Sequence, residues 1–167
     1  MIATRPCFHV GVRFALALAL VATVVATACR TAPRTPMPAG SSATTAVIET
    51  GAGAVTFRVE VADTEAEREV GLMGRTALDA DAGMVFLFDG TTTASFWMKD
   101  TLIPLSIAFW GTDGRIVGIL DMEPCEADPC PTFNPGVPYV GALEANVGSF
   151  ADRGVAVGDT VRLEGAP

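Results

Sequence analysis

Ala94-Ser-Phe-Trp-Met-Lys-Asp-Thr-Leu-Ile-Pro-Leu-Ser-Ile-Ala-Phe-Trp110 holds both tryptophans of the chain and its only lysine. Apolar residues flank a polar center, Lys99-Asp100-Thr101. Phe96–Met98 and Leu105–Trp110 read as strands, because aromatic and β-branched side chains suit a pleated, half-buried surface. Pro104 cannot donate to a central ladder, so the chain must turn or bulge between them. Neighboring strand residues point to opposite faces. Phe96 and Met98 therefore share a side, the better candidate for the core. Trp97 is left to cover a polar cluster of Arg75, Lys99 and Glu144, where its indole N–H can find a partner.

Outward from this stretch the chain reads as short strands. Val55–Val61 alternates apolar and polar residues, the period of a half-buried strand. Gly83–Phe88 is a continuous apolar run. Gly111-Thr-Asp-Gly114 is a hairpin signal, with Arg115–Met122 as the returning strand. Tyr139–Ala145 and Val155–Leu163 follow, the last with a bend at Gly158-Asp159. Thr64-Glu-Ala-Glu67 fits a capping box and predicts one short helix from Glu65 to Leu72, ended by Gly71 and Gly74. Glu123–Pro138 holds five prolines and reads as a loop. Asn146–Gly154 reads as a turn or one helical turn. The expected fold is all-β and mainly antiparallel, a small jelly-roll-like sandwich or barrel with one short helix.

The N-terminal part is of another kind. Arg5 and Arg13 precede the apolar run Phe14–Ala28, and Ala26-Thr-Ala28 leads directly into Cys29. A basic start, a short apolar run and small residues before a cysteine describe a lipoprotein-type signal, residues 1–28, with the lipid carried on Cys29. Plain secretion is the alternative. Residues 29–46, rich in Pro, Ala, Ser and Thr, read as a disordered tether, and 47–167 as a single β-domain. The expected location is the bacterial cell envelope, on the periplasmic face or the cell surface, with the membrane as first partner.

The chain without its leader carries nine basic and nineteen acidic residues, a net charge of about −10. Such a balance excludes nucleic acid as a partner, since a phosphate backbone would be repelled. Cys125 and Cys130 remain as an even pair in an oxidising compartment and point to a disulfide closing a small loop. Metal binding by the two thiols is the weaker alternative. Redox catalysis lacks the CxxC spacing it would need.

Seven stretches then resemble one family, the domain of unknown function 192. They are Val59–Thr64, Gly71-Leu-Met-Gly-Arg75, Gly83–Phe86, Phe96-Trp-Met-Lys-Asp-Thr101, Ile103–Phe109, Asp113–Ile116 and Ala142-Leu-Glu144. Their order and spacing agree over roughly residues 47 to 165. The resemblance implies a jelly-roll-like fold in an exported protein and no established activity. Two positions depart from the family's habit: Asp100, where Asn is frequent, and Ser106, where Asp is frequent.

Arg75, Trp97, Lys99, Asp100 and Glu144 are the candidate ligand-binding residues. Four are charges beside strongly apolar motifs, where an unpaired charge is costly. Planar arginine suits carboxylate or phosphate, and an aromatic face suits sugars. The competing reading makes the same charges structural ion pairs. Asp121, Glu123 and Glu144 lack the spacing of a calcium loop. Met73, Met84, Met98 and Met122 read as core rather than copper ligands. No metal or cofactor is expected. The only histidine, His9, lies in the leader, which excludes a Ser-His-Asp set. The expected function is binding of a small polar ligand or partner protein. The alternatives are a hydrolase or lyase using Asp100 or Glu144 with Arg75, and a purely structural envelope module.

Overall fold

The computed structural model describes residues 44–165. The expected leader, Cys29 and most of the expected tether lie outside the described residues. Nine strands and two short helices follow in order: β1 Thr44–Thr50, β2 Gly53–Ala62, α1 Glu65–Val70, β3 Ala82–Thr92, β4 Phe96–Trp97, β5 Leu105–Trp110, β6 Ile116–Met122, β7 Thr132–Phe133, β8 Tyr139–Asn146, α2 Ser149–Asp152 and β9 Thr160–Glu164. Seven strands form one sheet in the order β6-β5-β8-β3-β2-β1-β9, and β4 pairs with β7 in a second, small sheet. Every pairing is antiparallel except β2 with β3. The all-β expectation holds.

The large sheet curls into a half-barrel. At one end its two edges meet: Arg115 bridges Thr160, and Ile116 N–H donates to the Asp159 carbonyl at 2.8 Å. The Val161 N–H reaches the Gly114 carbonyl at 2.8 Å. Gly114 sits at φ 76, as the hairpin turn from Gly111 requires. Inside the curl, Ile48, Phe57, Val85, Ala108, Leu143, Ile116 and Val161 pack with Phe150 of α2. The outer face of the central strands is buried too. There Phe86, Ile107, Phe109, Ala142 and Met122 lie under Leu72, Met98 and Ile103 from the loops. Burial on both faces explains why β3, β5 and β8 read as unbroken apolar runs rather than alternating ones.

Several boundaries differ from the expectation: the helix ends at Val70 rather than Leu72, and the last strand begins at Thr160, past the bend, rather than at Val155. β1 starts at Thr44, ahead of the boundary expected at Val47. Thr44, Thr45 and Ala46 still find ladder partners in Val59, Arg58 and Phe57, and Ala46 is fully buried. The Thr/Ala composition that looks like tether is equally strand, because threonine is β-branched. The expected loop 123–138 contains the two-residue strand β7. The capping box forms as read: Glu67 N–H donates to Thr64 Oγ1 at 3.3 Å and Thr64 N–H donates to the Glu67 carboxylate at 3.1 Å. The Thr64 hydroxyl also donates to that carboxylate at 2.8 Å, and this bond, with the one from the Thr64 N–H, holds the Glu67 carboxyl below its usual range. Gly71 ends the helix at φ 47.

Candidate functional site

The Phe96–Leu102 segment is fixed from below by aromatic packing. The Phe96 ring meets Phe86 edge-on at 5.0 Å and Phe109 at 5.6 Å. Met98 is buried. Trp97, between them, points outward and is 49% exposed, as strand alternation demands. Pairing of Trp97 with Thr132 holds the backbone. Tyr139 donates from its hydroxyl to the Ala94 carbonyl at 2.8 Å, and burial pushes its phenol up to about 12.

After Trp97 the chain turns. Thr101 N–H donates to the Met98 carbonyl at 3.2 Å, and Asp100 adopts φ 53, in the left-handed region. Two outside groups clip the turn. Gly74 N–H donates to the Asp100 carbonyl at 2.8 Å, and Cys125 N–H donates to the Met98 carbonyl at 3.4 Å. Cys125 is joined to Cys130 by the expected disulfide. The Lys99 ammonium lies 5.6 Å from the center of the Trp97 ring, a cation–π contact.

The five sequence-derived residues fall into two settings. Trp97, Lys99 and Asp100 share the turn, and the Asp100 side chain is exposed. Arg75 has its backbone beside that turn, next to Gly74, but its guanidinium donates to both oxygens of Glu60, at 2.7 and 2.8 Å. Glu144 lies on β8, flanked by Met84 of β3 and Ile107 of β5. It is 4% exposed. Burial without a compensating charge pushes its carboxyl up to about 8, so it is mostly neutral at pH 7. Glu60 and Glu144 share the outer face of the sheet, with Met84 between them.

Glu60 was not singled out from sequence. The signal was there: the alternation Val59-Glu-Val61 places it on the face opposite Phe57 and Val59. Ser106 stands where the family often has Asp, and it donates from its hydroxyl to Asp121, directly across the ladder on β6. Gly148 N–H donates to the same hydroxyl at 2.8 Å. A carboxylate is thus present at this place, supplied by the neighboring strand β6.

A shallow cleft of about 370 Å³ opens elsewhere, between Leu78, Asn146, Ser149, Asp152 and Arg153. Its polar groups mostly serve the fold. Asn146 donates to the Leu78 and Asp79 carbonyls at 3.1 Å, and Arg153 donates to the Thr56 and Ala80 carbonyls. The arginines of the domain are all occupied in this way: Arg58, Arg75 and Arg162 by carboxylates, Arg68 and Arg153 by carbonyls, and Arg115 by both. Lys99 is the one cation with neither a carboxylate nor a carbonyl partner among the described residues.

The family model DUF192, described as "Uncharacterized ACR", matches residues 46–163. The chain belongs to this family. Two solved structures resemble it. One is a crystal structure from Sinorhizobium meliloti 1021, described provisionally as a transcription regulator. It is 32% identical, with a TM-score of 0.68, over 76% of this chain and 98% of that one. The other, of unknown function, is from Novosphingobium aromaticivorans DSM 12444. It is 35% identical, with a TM-score of 0.66, over 80% of this chain and 94% of that one. No curated protein matches.

Proposed function

We propose that this DUF192 chain is an exported, lipid-anchored β-domain of the cell envelope. It acts by binding a polar ligand or partner at the Trp97–Lys99 turn. The observation that carries the reading is Lys99, without an acidic or carbonyl partner and lying over a half-exposed indole ring. A half-exposed indole with a cation over it, and no acid to neutralise that cation, offers both apolar contact and charge to a ligand. Apolar residues below and two backbone clips hold the pair in place, and a preorganised site loses less entropy on binding. Export is supported by the leader-like start and by the Cys125–Cys130 disulfide, which belongs to oxidising compartments.

The catalytic reading has less support. Arg75 is engaged by Glu60, Asp100 shapes a turn, and Glu144 is buried between apolar neighbors, so the three serve separate ends. The Sinorhizobium protein is described as a transcription regulator; direct contact with DNA, one way to such a role, fits this chain poorly. Residues 44–165 hold seven basic and nineteen acidic residues, and six of the seven cations are already occupied.

A thermal-shift screen of the purified chain against sugars, carboxylates and phosphates tests the proposal. A ligand at a hundred times its Kd should stabilise the fold by about 2.7 kcal/mol, several degrees in Tm. The shift should vanish in Trp97→Ala and Lys99→Ala. A shift that persists in both variants places the ligand elsewhere and defeats the proposal.

A further inference from the structure

The turn that carries Trp97 and Lys99 has solvent on its outer side: Trp97 is 49% exposed and Leu102 58%. A second segment, residues 125–135, runs alongside and grips it from the flank. Asn134 Nδ2 donates to the Thr93 and Ala94 carbonyls at 2.8 and 2.7 Å. Phe133 and Thr132 then pair with Phe96 and Trp97 in the β4–β7 ladder. The Cys125 N–H ends the row on the Met98 carbonyl at 3.4 Å. This strap is itself seated on the large sheet. Cys125 and Phe133 pack against the outer apolar cluster, and a β-carbon on Gly118 of β6 would come within 2.8 Å of Pro135.

The Cys125–Cys130 bond joins the grips at the indole and at the carbonyl after it. Cys130 stands just ahead of Thr132, the partner of Trp97, and Cys125 holds Met98. Without the bond the two grips are linked only by the chain, of which residues 126–129 are exposed. Ordering a free chain of this length costs more entropy than one long hydrogen bond returns. We infer that the strap is a redox-sensitive clamp: closed, the disulfide holds Trp97 and Lys99 in place for a ligand, and reduction by a dithiol releases the turn. The inference rests on the reading of this turn as a ligand site and names the regulation of that site.

The chemistry is thiol–disulfide exchange. A thiolate of the dithiol attacks one sulfur, the Cys125–Cys130 bond breaks as a mixed disulfide forms, and the other cysteine leaves as a thiolate. The second thiolate of the reductant then displaces the remaining cysteine and closes its own disulfide. Two electrons pass to the protein, and the two protons of the dithiol end on the two cysteines. Both cysteines are half-buried and border the exposed residues 126–129, within reach of a small reductant. The Asp128 carboxylate lies within 4.8 Å of both sulfurs. Anionic reductants are therefore repelled, and an otherwise uncharged dithiol is favored.

The test uses the purified full chain, oxidised or reduced with dithiothreitol, read by hydrogen exchange. Losing about one hydrogen bond's worth of hold should speed exchange in residues 93–103 by about tenfold. Strands β1 and β2 should exchange as before. A Cys125→Ala/Cys130→Ala variant should show the fast exchange from the start and no response to dithiothreitol. If that variant fails to fold, reduction of the wild type carries the test. Equal exchange of residues 93–103 in the two redox states overturns the clamp. So does an equal speeding in β1 and β2, which would make the bond a general brace. A response to dithiothreitol in the double variant also overturns it, because the effect would then belong to other thiols. No ligand enters these measurements. An empty ligand screen therefore defeats the binding role alone, and unchanged exchange defeats the clamp alone.

Discussion

Asp100 occupies a backbone conformation, φ 53, that costs most L-residues about 1–2 kcal/mol and that Asn and Asp tolerate best. The Asn common at this place in related sequences is thus explained by the turn, without any role for a carboxylate. Asp100→Asn should leave the urea midpoint unchanged, and Asp100→Val should lower stability by about 1–2 kcal/mol. Glu144 gives a second prediction. Its carboxyl ionises near 4.5 in the unfolded chain and near 8 in the fold, so across that window the fold keeps a proton the unfolded chain has lost. The stability is fully present below pH 4.5 and declines as pH rises to about 8, by up to about 1.4 kcal/mol per pH unit. Urea titrations across this window should show the decline in the wild type and a flatter profile in Glu144→Gln. Trp97 and Met98 make a third pair. Met98→Ala should cost about 2–5 kcal/mol, and Trp97→Ala under about 0.5 kcal/mol, both read by chemical denaturation. Their opposite facing was legible, because strand alternation is a strict geometric rule. The partner of Arg75 was not, because a side-chain pair across a loop and a strand has no sequence period.

At the scale of elements, the strand runs were legible wherever alternation or a dense apolar run marked them, as in Val55–Val61 and Leu105–Trp110. β7 was hidden because two residues between prolines carry no periodicity, and only pairing with β4 makes them a strand. The exposure of Leu102 and Val147 was hidden for a related reason: apolar residues near strands read as core until the covering loops are placed. Close approach between strands also leaves its mark on glycine. The Trp110 indole packs against Gly141 on the neighboring strand β8, where a β-carbon would collide with the ring. Gly141→Ala should destabilise by about 1–3 kcal/mol. The same change on a Trp110→Leu background should cost clearly less, and equal costs in the two backgrounds would show that the indole is not the obstacle.

For the whole molecule, the all-β class and the succession of elements follow from short apolar runs separated by glycine and proline. The curl that joins the two sheet edges does not, since it depends on twist accumulated over seven strands. The anchoring proposal makes a prediction at this scale. Cys29→Ser should move the protein from the membrane pellet to the soluble fraction in a fractionation with immunodetection; an unchanged pellet would rule the lipid site out. One further consequence concerns β1. It is bonded on one side to β2 from Thr44 to Thr50 and on the other to β9 from Thr45 to Glu49. The β9 ladder is antiparallel and sets Thr45 against Glu164, so the chain enters β1 and leaves β9 side by side. A pull that separates these two points loads the ladder at one end and unzips it one rung at a time, instead of shearing many hydrogen bonds at once. In a force-spectroscopy pull between them, β1 and β9 should part early and at low force.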